Sequence, residues 1–153
     1  MKLSLGDRVG YQGIDYQVEA MLTYALADRV LCLARMVGPG QVRFLEPTTS
    51  DPVDRVLVLA EIDGLDITTP PPATIYHHGE SYLLKVSGAA EVRGVGGGPG
   101  PMPGTCTLWR YRAAGGRFLQ IEEWPGQVRM LAGASVHVGM LEIRPATLKN
   151  DTA

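Results

Sequence analysis

Short landmarks recur along this chain of 153 residues, in the same order both times. Gly13-x-x-Tyr16 returns as Gly79-x-x-Tyr82, 66 positions later. Leu33-x-Arg35, a glycine-containing turn and Arg43-Phe44-Leu45 return as Leu108-x-Arg110, a Gly-Gly turn and Arg117-Phe118-Leu119. Leu65-Asp66-Ile67 returns as Leu141-Glu142-Ile143, now 76 positions away, the second copy carrying an extra Gly/Pro-rich stretch over 94–104. A repeat of this kind restricts the fold to two equivalent units that stack or pack. Each unit holds only about 70 residues, a size at which little surface is removed from water and isolated stability is marginal. The two are therefore expected to share an apolar interior and fold as one body.

The repeated unit reads as β-structure. In Tyr16-Gln17-Val18-Glu19-Ala20-Met21-Leu22 the residues Tyr16, Val18, Ala20 and Leu22 fall on one face, and Gln17 and Glu19 on the other, which is the period-two pattern of a half-buried antiparallel strand. Comparable runs occur at 8–11, 28–37, 42–46, 55–62, 82–86, 105–112, 117–124, 128–131 and 140–143. Turn residues separate them: Gln12-Gly13, Gly38-Pro39-Gly40, Asp63-Gly64, His78-Gly79, Gly115-Gly116 and Pro125-Gly126. The 28–37 and 54–61 stretches have helix-like apolar content, but their β-branched residues and flanking turns favour strands. Gly 19 and Pro 11 leave little room for long helices. The expected fold is all-β, two pseudo-repeated antiparallel units built as small SH3-like barrels or as sandwich lobes, with small barrels preferred. Residues 1–67 form the first unit, 68–73 a proline-rich connector, 74–146 the second unit with its 94–104 loop, and 147–153 a tail.

Composition narrows the function classes. Hydrophobic residues make up 45% and charged residues 20%, with a net charge of −2. That balance is globular and lacks the basic excess by which nucleic-acid partners are held. The sequence shows neither a signal-peptide core nor an uninterrupted apolar span, so a cytoplasmic location is expected. Two cysteines, Cys32 and Cys106, are too few for a disulfide framework or an all-thiolate zinc site.

The residues Gly6-Asp7-Arg8-Val9-x-Tyr11-x-Gly13-x-x-Tyr16-x-Val18 resemble the opening of a bacterial family known as domain of unknown function 4178. Leu108-Trp109-Arg110-Tyr111 and Gly116-Arg117-Phe118-Leu119-x-x-Glu122-x-Trp124 are similar to that family's aromatic strand and the strand after it. The chain departs from the family where the first copy would carry a Trp and instead reads Ala27-Asp28-Arg29-Val30-Leu31. The resemblance carries no catalytic residues across. It implies an accessory role near small membrane proteins and polyamine-synthesis-like enzymes, and hence a protein partner, one setting for which is the membrane.

Candidate chemistry is sparse. The 94–104 stretch lacks the Gly-Lys-Ser/Thr of a phosphate loop, and Pro99 stands where a dinucleotide fingerprint needs glycine. His77-His78 and His137 lack metal-ligand spacing, and neighbours on a strand point to opposite faces. Glu122-Glu123 diverge for the same reason, and no Gly-x-Ser-x-Gly elbow occurs. No catalytic, cofactor-binding or metal residues are assigned. The sharper possibility is an interaction patch of Arg110, Arg112, Trp109, Tyr111, Arg43 and Arg117, since arginine beside tyrosine and tryptophan is typical of binding hot spots. The plainer alternative, favoured residue by residue, puts Trp109, Tyr111 and Trp124 in the core and pairs Arg43 and Arg117 with Glu46 and Glu122. The expected function is a non-enzymatic protein-interaction or scaffold module, compatible with a homodimer through open strand edges. The alternative is a small-ligand binder or an unrecognised enzyme with a pocket between the repeats, closed by the 94–104 loop.

Overall fold

The computed structural model describes residues 2–47, 54–63, 66–97 and 104–146. Among these residues strand accounts for 71% and helix for 5%. The first half contributes β1 (Arg8–Tyr11), β2 (Ile14–Ala25), β3 (Val30–Gly38), β4 (Gln41–Pro47) and β5 (Arg55–Glu61). The second half contributes β6 (Thr74–His77), β7 (Glu80–Gly96), β8 (Gly104–Ala113), β9 (Arg117–Trp124), β10 (Gln127–His137) and β11 (Leu141–Arg144). All pairings are antiparallel, in the order β11-β1-β2-β3-β4-β5-β10-β9-β8-β7-β6, with an additional β2–β7 pairing. That last pairing closes eight strands, β2-β3-β4-β5-β10-β9-β8-β7, into a barrel.

This corrects the expectation of two small barrels or two sandwich lobes. Neither half closes on itself: each supplies four strands, and the ring is completed at two seams. At one, β5 and β10 pair from Arg55↔His137 to Glu61↔Leu131. At the other, Ala20–Ala25 of β2 pair with Glu91–Gly96 of β7. The 94–104 loop is correspondingly shorter than expected. Gly94–Gly96 are strand residues of the closing seam, Gly104 opens β8, and 98–103 lie outside the described residues, as do 147–153 and Leu65. A β-carbon on Gly96 would lie 2.3 Å from the Glu19 carbonyl oxygen, so only glycine lets the two backbones meet there.

Three apolar clusters follow from this closure. The barrel interior holds Tyr24, Leu33, Phe44, Leu57, Leu59, Ala90, Val92, Cys106, Leu108, Trp124 and Leu131, drawn from both halves. An eight-stranded barrel has an interior just wide enough for side chains to fill. On the outside, Val9 of β1 and Tyr16 and Val18 of β2 pack with Met36, Leu45, Val56 and Val58. A second outer layer, in the second half, joins Ile75 of β6 and Tyr82 of β7 to Trp109, Tyr111, Leu119 and Ile121. Central strands are thus buried on both faces: in β5, Val56 to Leu59 are four consecutive buried residues.

The connector also belongs to this outer layer. The Tyr111 hydroxyl donates to the Pro72 carbonyl at 2.8 Å, and the Thr69 hydroxyl donates to Glu123. Of the seam residues, Gly133 is the most constrained, because a β-carbon there would lie 1.8 Å from the Val58 carbonyl oxygen. Gly133→Ala should therefore cost about 3 kcal/mol or more, the upper range for overpacking. Gly40→Ala meets no atom within 4 Å and only leaves alanine at φ +69°, a cost of about 1–2 kcal/mol. Urea-unfolding midpoints of the two variants check this ranking, and equal midpoints would contradict it.

Candidate functional site

Strand alternation sends one set of polar side chains into the barrel and another onto its outer seam. The inward set forms a chain of hydrogen bonds. Arg110 of β8 donates from both terminal nitrogens to the Glu46 carboxylate of β4, at 2.8 and 2.7 Å. Its Nε donates to the Gln120 side-chain carbonyl at 3.0 Å, and Gln120 Nε2 donates to Glu122 at 2.6 Å. Glu122 also accepts from Trp124 Nε1 at 2.9 Å and from Arg129 Nη2 at 2.9 Å. Arg129 then donates to the Tyr24 hydroxyl at 3.0 Å, with its guanidinium 4.9 Å from the centre of the Phe44 ring. Both ends of the chain, Glu46 and Tyr24, belong to the first half, and everything between them to the second.

Burial alone would pull the Arg129 pKa down, but the Glu122 carboxylate and Tyr24 hydroxyl around it hold it above the usual arginine value. Burial, with Glu122 adding to it, pushes the Tyr24 hydroxyl far up, so it stays a neutral partner. The Cys106 thiol, also buried and near Glu122, is pushed up to about 12, which suppresses the reactive thiolate. These groups are mutually satisfied and fully enclosed, so their role is to lock the halves in register. Arg129→Met strands the buried Glu122 carboxylate and should cost about 3–5 kcal/mol. Urea unfolding measures it, and a loss below about 1 kcal/mol, the value of an exposed pair, would contradict the assignment.

The outward set lines a cleft of about 430 Å³ over the β5–β10 seam. Its floor is Val58 and Ala60 of β5 with Ala132, Gly133 and Ala134 of β10. One wall is Tyr11 and Gln12 at the β1–β2 turn, with Arg43 of β4. The other is His77 and His78 at the β6–β7 turn, with Glu80, Tyr82 and Arg117 of β9. The two walls share a backbone plan. Both hairpins turn through two left-handed residues, Gln12 (φ 51°) and Gly13 (φ 77°) in one, His78 (φ 49°) and Gly79 (φ 77°) in the other. This is the favoured two-residue hairpin geometry, but Asn or Gly usually fills its first position. Left-handed Gln and His carry strain of the kind found at functional sites, and here both stand on the cleft rim.

Charge in the cleft is mostly positive. The nearest approach of Arg117 to Glu80 is 3.9 Å, and Arg43 donates to the Val42 carbonyl at 2.9 Å; among the described residues Arg43 has no carboxylate partner. The rings of His77 and His78 lie edge to face at 4.1 Å between centres. Burial, then the neighbouring His78, lowers the His77 pKa, so its imidazole is neutral at pH 7 and can donate or accept.

The six residues singled out in the sequence do not meet in one patch. Arg110 is inside the barrel. Trp109 and Tyr111 are buried in the outer layer of the second half. Arg112 is exposed, with its guanidinium 5.7 Å from the centre of the Phe118 ring. Arg43 and Arg117 alone come together, in the cleft. Neither pairs with Glu46 or Glu122, whose partners are Arg110 and Arg129. The cleft does not adjoin Gly94–Gly96, which lie in the opposite seam. His77 and His78, which lack metal-ligand spacing in the sequence, both line the cleft; among the described residues no three His, Cys, Asp or Glu side chains converge on a metal site. Tyr11 and Gln12, which the sequence offers only as a motif residue and a turn residue, also line the cleft, and the 66-residue recurrence of the hairpin is the signal that pairs them with the histidines.

A closed antiparallel barrel flanked by two hairpin-covered faces, with a basic cleft over one seam, is the class of protein that this fold defines. Residues 4–137 match the family described as domain of unknown function (DUF4178), and the chain belongs to that family. No curated protein and no solved structure matches it.

Proposed function

We propose that this protein is a non-enzymatic binding module whose cleft over the β5–β10 seam holds an anionic ligand. One observation carries the reading: Arg43 and Arg117, which recur in the sequence, line the same cleft from opposite sides. Guanidinium groups in such a setting make charge-assisted, often bidentate bonds to carboxylate or phosphate. The volume falls in the range of small-molecule sites, and the small side chains of Ala60, Ala132 and Ala134 let a ligand approach the sheet closely. The cleft offers donors and positive charge, and its carboxylate, Glu80, faces Arg117, an arrangement for holding an anion and not for activating a nucleophile.

The same reading takes the halves as copies of one unit related by a twofold axis through the seam. Support comes from matching details: the hairpin turns, and strand irregularities at Glu19 in β2 and Lys85 in β7, also 66 positions apart. Opposite each irregularity lies an arginine, with Ala20↔Arg35 in one half and Val86↔Arg110 in the other.

A second reading, docking of a protein partner, has its own support at the end of the sheet. Among the described residues β6 has no neighbour on its outer side, and Tyr76 on it is 76% exposed, with Leu83 of β7 48% exposed nearby. Open edges of this kind accept an added strand. A cytoplasmic setting fits both readings, and no helix among the described residues is long and apolar enough to cross a membrane.

Amide-resolved NMR titration with inorganic phosphate tests the anion site. Shifts should concentrate at Gln12-Gly13, His78-Gly79 and Ala132–Ala134, and the Arg43→Ala/Arg117→Ala double variant should weaken binding by about tenfold or more. Shifts scattered over basic residues elsewhere, or unchanged in the double variant, would contradict it.

A further inference from the structure

We infer that the ligand of this cleft carries two anionic groups on a short spacer, one gripped by Arg43 and the other by Arg117. The inference rests on the anion-site reading above and specifies what fills it. β4 and β9 stand on either side of the β5–β10 pair, three strand spacings apart, or about 14 Å. A single phosphate or carboxylate placed between them engages one arginine well and the other poorly. Two long side chains leaning inward from the flanks shorten the gap, and a ligand with an anionic group at each end spans what is left.

Volume and lining agree. About 430 Å³ far exceeds one phosphate, and the floor between the arginines is Ala60, Ala132 and Ala134, surfaces suited to an uncharged spacer. The walls share their backbone but differ in side chains, with Tyr11 and Gln12 beside Arg43 and His77, His78 and Glu80 beside Arg117. The two ends of the ligand therefore meet different neighbours. On the Arg117 side the anion displaces the long 3.9 Å contact with Glu80, so Glu80→Gln should tighten binding.

Calorimetric titration with alkane-α,ω-diphosphonates of increasing length, beside matched monophosphonates, separates the possibilities. Affinity for the diphosphonates should peak at one intermediate length and exceed the monophosphonate by about tenfold or more, because the second contact becomes intramolecular. Arg43→Ala and Arg117→Ala should each reduce the best diphosphonate to monophosphonate strength. Neither arginine is buried, and unchanged urea midpoints confirm that the variants fold. If monophosphonates bind as tightly as every diphosphonate, and the arginine variants weaken both alike, the two-headed ligand is wrong while the anion site stands. If neither kind binds the intact protein, both are wrong.

Discussion

Barrel closure is the constraint on which everything else depends. Four strands from each half cannot bury their inner faces alone, and eight strands do so only when β2 meets β7 and β5 meets β10. Units of about 70 residues remove too little surface from water to be secure by themselves. The shared interior supplies what they lack, and it draws residues from every strand of the ring. Glycine sits at the tightest point of each seam, Gly96 against Glu19 and Gly133 against Val58, because the backbones approach more closely there than a side chain permits.

The buried polar chain converts closure into a specific closure. Glu46 and Tyr24 of the first half receive Arg110 and Arg129 of the second, and Glu122 sits at the centre with four donated bonds from three residues. A seam slipped by one residue would turn these groups outward and leave partners unpaired in a medium where that is costly. Apolar packing tolerates such slips better. The enclosed ions therefore act on register, and the same register sets Arg43 and Arg117 on opposite flanks of the outer cleft.

Much of this was legible in the chain. Apolar content bounded by turns marks the strands at 16–22 and 117–124, but not their faces: the irregularity at Glu19 sends Tyr16 and Val18 to the outer layer and Leu22 and Tyr24 to the interior, so the single face expected for Tyr16, Val18, Ala20 and Leu22 is split, and Leu119 to Glu122 are buried on both sides. Gln12-Gly13 and His78-Gly79 mark hairpins because the turn needs left-handed residues. β6 was missed since Thr74–His77 follows a run of prolines and is too short to show a period. The expected strand at 82–86 stops at Val86, although β7 runs on to Gly96, because Gly88, Ala89 and Ala90 look like a turn; in the barrel Ala90 is an interior residue and Ala89 faces out. Arg110 was read as a surface group for a similar reason. Alternation tells which residues share a face, but in strands buried on both sides it does not tell which face is interior. The cleft was foreseen only as a pocket between repeats, since the meeting of Arg43 with Arg117 depends on a β5–β10 pairing that no local pattern encodes.

Native-state hydrogen exchange across the seams tests the central claim most directly. If the two halves are one closed body, the slowest amides of β5 and of β10 should exchange through a single opening, with a common free energy and a common dependence on denaturant. Amides of one half exchanging at a distinctly lower free energy, while the other half stays protected, would mean that the lobes stand independently, and the shared barrel would have to be abandoned.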